Sequence, residues 1–332
     1  MSDSTRIRSV PLGRTKIKVT NFGLGSAQFG WMFAPVPNAQ ATATFERAIE
    51  LGIRFFDTSP LYGRGIAESR LGKVLPKLVR ESFALSSKVG YAIEPDDPVP
   101  DGESPVNPDF RGQDFSYDFA MRSLEGTLKR TGLSRLDILL IHDPDDQMEA
   151  CLAGTYRAIR KLRDEGVIGA IGAGMNDAAK LAWLARRAEF DCFLMAGRYT
   201  LIDQEALIEL LPLASEQGLV IYVGGPFNSG LLADPFAANP KFNYDAAGHE
   251  WVDKAQRVAR VCTRHGVDIK SAALQFPLGH PAVVSVVSGA RSVVELEQNV
   301  AAFNAPVSAA LWADLKREGL LGEHVPTPDG LR

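Results

Sequence analysis

The sequence predicts an α/β protein folded as a closed (β/α)8 barrel of the TIM type. Short apolar runs rich in β-branched residues alternate with longer stretches of helical periodicity, the alternation repeats eight times, and no compositional shift divides the chain into halves. Parallel strands need a helical crossover between them, so this rhythm implies a parallel sheet. Eight consecutive units favour closure over an open doubly wound sheet, and 332 residues suit one such barrel, so residues 1–332 read as a single domain.

Strands are expected at residues 21–27, 54–57, 83–88, 136–142, 170–174, 193–199, 219–224 and 283–288. Helices are expected at 38–51, 117–130, 148–165, 177–188, 204–217, 249–265 and 292–302. Several of these helices run into a glycine, among them Gly52, Gly132, Gly166, Gly218 and Gly266, where an L-residue resists the left-handed closing turn. The opening VPLGRTKIKV reads as two short strands around residues 13–15, a hairpin suited to covering the barrel floor. Two segments break the rhythm: 91–116, rich in Pro, Asp and Gly, and 232–248, rich in Ala, Pro and Asn. Following strands three and seven, they fall on the C-terminal face of a barrel and are the expected substrate loops.

Composition narrows the function. A formal net charge of −4 and a pI near 5.8 give no footprint for nucleic acid or anionic lipid. Cys151, Cys192 and Cys262 are odd in number and widely spaced, which suggests neither a disulfide framework nor a CxxC metal site and fits a reducing cytoplasm. The first ten residues lack the apolar core of a signal peptide, and no run approaches a membrane span, so a soluble, unprocessed chain is expected.

A barrel carries its chemistry at the C-terminal strand ends, so polar residues that close an apolar run are informative. Asp57 closes RFFD, Tyr62 follows it in DTSPLYGRG, Lys88 closes FALSSK, and His142 closes DILLIH. Singly, each has a bland reading as a turn cap, a packing ring or a solvated charge. Together, at the ends of adjacent strands, they make a proton relay that calls for no metal: Tyr62 transfers the proton, the Lys88 ammonium favours its phenolate, Asp57 balances Lys88, and His142 orients the substrate oxygen.

The stretch GIRFFDTSPLYGRGIAESRLG, followed by SSKVG, LDILLIHDP, LRDEGVIGAIG and GARSVVELEQN, resembles the aldo-keto reductases in the same order along nearly the whole chain. The resemblance implies the barrel, a nicotinamide cofactor lying extended across its mouth, and an Asp, Tyr, Lys, His tetrad at Asp57, Tyr62, Lys88 and His142.

No Gly-x-Gly-x-x-Gly opens a helix after a strand; Gly23, Gly25 and Gly30 are wrongly spaced for it. Phosphates are instead expected at GGPFNSGLL after strand seven, through Gly225, Pro226, Phe227, Asn228 and Gly230, and at SGARS after strand eight, through Gly289 and Arg291. Gln298 and Asn299 extend that second set. Family members commonly hold the nicotinamide amide with a Ser-Asn pair after strand five and a Gln on strand six, and stack an aromatic ring on it after strand seven. Here those stretches read GAGMN, LMAGRY and VGGPF, leaving Asn176 for the amide and Tyr199 or Phe227 for stacking. Glu295 stands where many NADP-using members carry an Arg; a carboxylate repels a 2′-phosphate and accepts from a ribose hydroxyl, so of NAD and NADP the sequence leans to NAD. Ser292-x-x-Glu295 is also a capping box, and Arg291 remains an alternative phosphate partner.

These departures resemble the branch of the family that oxidises aldoses such as L-fucose or D-threo-aldoses at C1, together with pyridoxal 4-dehydrogenase. The shared chemistry converts a cyclic hemiacetal to a lactone, with Phe29 and Trp31 lining the substrate pocket. The competing expectations are an NADPH-dependent aldehyde or ketone reductase and, from a different class, a cofactor-holding redox-sensing regulatory subunit.

Overall fold

The computed structural model describes residues 6–32, 34–103 and 112–328. Eight parallel strands close into a barrel in sequential order, the eighth pairing with both the first and the seventh. They are Phe22–Gly25, Phe55–Asp57, Ala84–Val89, Leu136–His142, Ile168–Met175, Cys192–Ala196, Val220–Gly224 and Val283–Gly289. Each overlaps an expected strand, with ends moved by a few residues.

The N-terminal hairpin pairs Ser9–Pro11 with Lys18–Thr20. Its Leu12 and Val19 are buried in one apolar cluster with inward-facing residues of the barrel such as Phe55, Ala84, Ile138, Leu140 and Ala170. The hairpin thus plugs the floor and leaves the opposite rim open. A second, larger core fills the space between the outer face of the strands and the helices.

Helix Tyr117–Thr131 starts where the Ser116 side chain accepts from the Phe119 amide and ends where Gly132 turns left-handed at φ 65°. The helix expected at 148–165 is broken into Met148–Ala153 and Thr155–Asp164. The Phe115 segment crosses at the break: a Cβ on Gly154 would stand 2.2 Å from the Phe115 carbonyl, which accepts from the Thr155 amide at 2.8 Å. Likewise 204–217 divides into a 3-10 turn, Glu205–Leu207, and the helix Leu210–Gln217. Three helices lie outside the expected set: Ile66–Leu71, Ile269–Gln275 and Ala309–Arg317. Among the described residues, no helix is long and apolar enough to cross a membrane.

The irregular segment 232–248 folds back as a small hairpin, Lys241–Phe242 against Asp245–Ala246, turning through left-handed Asn243 and Tyr244. Phe242 stacks on Trp251 at 4.2 Å, and the Tyr244 amide donates to Ser229 Oγ. In the segment 91–116, of which 104–111 lie outside the described residues, Tyr91 and Gln113 form an antiparallel bridge close to His142.

Candidate active site

Strands two, three and four bring Asp57, Lys88 and His142 to one rim, and the loop after strand two returns Tyr62 above them. Lys88 Nζ donates to Asp57 Oδ1 at 2.5 Å, to the Thr58 carbonyl at 2.8 Å and to Tyr62 Oη at 3.1 Å. An ammonium has three hydrogens, and all three are engaged. The charge is almost wholly buried, and burial is tolerated because the carboxylate beside it is buried too. His142 lies edge-on to the Tyr62 ring, centroids 6.0 Å apart.

The Tyr62 loop is placed by glycine. A Cβ on Gly30 would fall 2.3 Å from the Tyr62 carbonyl carbon, so only a bare backbone lets the loop after strand one pack on the loop after strand two. Behind them, buried Glu68 accepts from Ser87 Oγ, Thr127 Oγ1 and Arg130 Nε, which ties the short helix Ile66–Leu71 to strand three beside Lys88. Buried Arg70 donates to the carbonyls of Phe29, Val36 and Gly102 and fixes the surrounding loops.

Burial pushes the Tyr62 phenol well above 10, and Asp57, Tyr244 and Asp143 add to the rise. The Lys88 ammonium that donates to the phenol is itself matched by Asp57 at contact distance. His142 is held well below its ordinary range, first by burial and then by Lys88, so its imidazole is neutral at pH 7. Its Nδ1 meets Ser59 Oγ at 3.2 Å, and its Nε2 lies 3.5 Å from Asp143 Oδ2. The Leu61 amide donates to Ser59 Oγ, which leaves the Ser59 hydroxyl hydrogen for Nδ1 and favours the tautomer with the ring proton on Nε2.

Beside Tyr62 opens a cleft of about 430 Å³, within the range of small-molecule sites. Asp57 and Tyr62 form one wall; Gly225, Pro226, Phe227, Gly230, Gly289, Arg291 and Glu295 line it as expected. Ser26 and Gln28, which the sequence does not single out, line it too, and Ser26 Oγ and Gln28 Oε1 are buried without a hydrogen-bond partner among the described residues. A Cβ on Gly289 would strike the Gln28 carboxamide at 2.1 Å, so the glycine opens the groove in which that amide lies. A hydroxyl that can donate and an amide oxygen that can accept, in a groove of bare backbone, fit a ligand carrying both acceptors and donors, as a nicotinamide dinucleotide does.

Other expected residues stand elsewhere. Gly197 turns left-handed directly after strand six, so Tyr199 is carried into the outer core against Phe276 and His280 rather than the cleft. Phe29 is likewise in the core, packed on Phe45. Asn176, Gln298 and Trp31 do not line the cleft; Gln298 faces outward, and Trp31 takes a left-handed turn next to Gly30. Asn228 braces the strand-seven turn by donating to the Gly197 carbonyl, and Asn299 braces strand eight by donating to the Gly289 carbonyl. Arg291 and Glu295, alternatives in the sequence, bind each other: Arg291 Nη2 donates to Glu295 Oε1 at 2.6 Å and its amide to Oε2 at 2.8 Å. Ser292 caps the helix by accepting from the Glu295 amide.

The relay is longer than the tetrad. Tyr222 Oη reaches Asp57 Oδ2 at 3.4 Å and Ser86 Oγ at 2.8 Å, continuing the hydrogen-bonded line into the barrel. No spacing in the sequence couples strand seven to strand two, so Tyr222 carried no signal.

Fold and site together describe a barrel oxidoreductase. The chain belongs to the aldo/keto reductase family, whose profile matches residues 21–317. It is 36% identical over 336 residues to pyridoxal 4-dehydrogenase of Microbacterium luteolum, covering 93% of this chain and 97% of the relative. It is 35% identical over 324 residues to D-threo-aldose 1-dehydrogenase of a Pseudomonas species, covering 94% and 96%. Among solved structures, glycerol dehydrogenase of Gluconobacter oxydans shares the fold with a TM-score of 0.75 at 20% identity, over 99% of this chain and 98% of that one. Membership makes the chain a nicotinamide-dependent oxidoreductase acting on a small molecule.

Proposed function

We propose that the enzyme oxidises a cyclic hemiacetal, an aldose such as L-fucose or a D-threo-aldose, at C1 to the lactone, with NAD in preference to NADP. The observation that carries the reading is the bonding of Lys88. Its third hydrogen occupies a lone pair of Tyr62 Oη, so the phenol's own O–H is left to point into the cleft. Tyr62 is therefore the group that exchanges a proton with the substrate oxygen, and Lys88 stabilises the phenolate that forms when it gives one up. His142, neutral with its proton on Nε2, donates to the same oxygen and sets its direction. Bound nicotinamide supplies the acceptor for the hydride leaving C1. The Gly225–Gly230 turn and the Gly289–Arg291 turn would hold its phosphates, with Phe227 against the ring. The Arg291–Glu295 pair supports NAD, since the cation that a 2′-phosphate needs is already matched.

Oxidation of pyridoxal is a second reading; its hemiacetal presents the same bonds, and the Microbacterium luteolum relative favours it. Following nicotinamide reduction with NAD and NADP separately, against L-fucose, D-arabinose, L-galactose, pyridoxal and simple alcohols, separates the readings. Tyr62→Phe is expected to lower kcat/KM by about 10²–10⁴ with cofactor affinity retained in a fluorescence titration; near-normal turnover would refute the role.

A further inference from the structure

We infer that Asp143 is a specificity-determining residue whose carboxylate accepts a hydrogen bond from a substrate hydroxyl next to the reacting carbon, selecting polyhydroxylated substrates over plain aldehydes. The inference rests on the proton-transfer role proposed for Tyr62 and concerns the rim next to the cleft, where Asp143 lies near the cleft-lining Tyr62 and Tyr244.

Asp143 directly follows His142, and its backbone is left-handed at φ 45°, a conformation that turns the chain sharply at the end of strand four. Two contacts hold that turn: the Asp143 amide donates to the Gly174 carbonyl, and Gln113 Nε2 donates to the Asp143 carbonyl at 2.8 Å. Tyr91 Oη then fixes the carboxylate by donating to Oδ2 at 3.1 Å. Tyr91 itself packs edge-on to the His142 ring at 4.9 Å, so carboxylate and imidazole share one support.

Among the described residues Oδ1 receives no hydrogen bond, while the side chain keeps about a third of its surface exposed at 32%. A fixed carboxylate with one oxygen satisfied and the other open is an acceptor waiting for a donor. Its setting disfavours an anionic partner, because Asp145 lies close by and the nearby Lys88 is already matched by Asp57. The donors a neutral substrate can offer there are hydroxyl groups, and Asp143 stands within reach of the imidazole that would hold the reacting oxygen. The hydroxyl it reads is therefore on a neighbouring carbon, as every aldose has and a simple aldehyde lacks. The 3.5 Å separation from His142 Nε2 exceeds a hydrogen bond to that ring, leaving the carboxylate disposable for the substrate.

Glyceraldehyde and propanal, three-carbon aldehydes that differ by two hydroxyls, test this in the reductive direction. Wild type is expected to prefer glyceraldehyde in kcat/KM. Asp143→Gly, which suits the left-handed backbone and removes the carboxylate, is expected to cut that preference by about 10- to 100-fold, the worth of a charged hydrogen bond. Asp143→Asn, keeping the shape without the charge, is expected to fall between, and Tyr91→Phe to lose part of the preference. Equal losses on both aldehydes would assign Asp143 to orienting His142 and overturn the inference. So would an unchanged preference in Asp143→Gly, or a wild-type enzyme that does not distinguish the two aldehydes. Failure to oxidise any aldose while the glyceraldehyde preference and its loss are seen sinks the aldose reading and leaves this inference standing.

Discussion

Lys88 engages three acceptors with three hydrogens, and that saturation decides how Tyr62 behaves. Because Asp57 absorbs the ammonium's charge, burial governs the phenol, and it stays protonated at pH 7. The protonated form is the one that reduction needs and the phenolate is the one that oxidation needs. Oxidative kcat/KM is therefore expected to climb by up to tenfold per pH unit from pH 7 to 10, while the reductive value stays level across that interval. At the acid end, burial pushes Asp143 up to about 6; the charge of Asp145 adds to this, and Tyr91 and Lys88 oppose it. Below that pH the carboxylate takes up a proton and the response to hydroxylated substrates declines. His142, held well below its ordinary range by burial, adds no step near pH 7. Initial rates in both directions over pH 5–10 check the pattern; a level oxidative profile from pH 7 to 10 would contradict it.

At the scale of elements, the loops after strands one and two work as one unit, joined where Gly30 meets the Tyr62 backbone. Gly30→Ala pushes a methyl into that contact and shifts the phenol relative to Lys88. A loss of about 10²-fold in kcat/KM is expected for a displacement near 1 Å, with the circular dichroism of the fold unchanged; full activity would show that the loops move independently. The strands were legible because burial on both faces leaves an apolar run that little else produces. Helix interruptions were not, since the break at Gly154 is imposed by the carbonyl of Phe115, a neighbour remote in sequence. Asp57, Lys88 and His142 were legible because each ends such a run. Tyr199 was misplaced because a single left-handed glycine, Gly197, redirects the chain, and no periodicity reports which way. Asp143 stood in plain view within LIHDP, but nothing in that string tells a substrate-facing carboxylate from a turn former.

For the whole molecule, the barrel divides labour between its ends. The floor is a packed apolar plug, and the rim holds the charge. Leu12 is fully buried in that plug. Leu12→Ala is expected to cost about 2–5 kcal/mol of stability, read as an earlier urea midpoint, with kcat/KM within about twofold of wild type; a parallel loss of activity would show that the two ends are coupled. The plug was foreseen from the glycine turn and flanking alternation of VPLGRTKIKV, because a hairpin before the first strand has few other faces to cover.

The line from Tyr62 through Lys88, Asp57 and Tyr222 stops at Ser86, walled in by the apolar interior. It is a cul-de-sac for hydrogen ions. Whatever the phenol gains or surrenders has to be traded with bulk water through the open end, so a ligand that stoppers that opening also suspends the trade. A hydrogen taken from the substrate then waits on the enzyme until the product has gone.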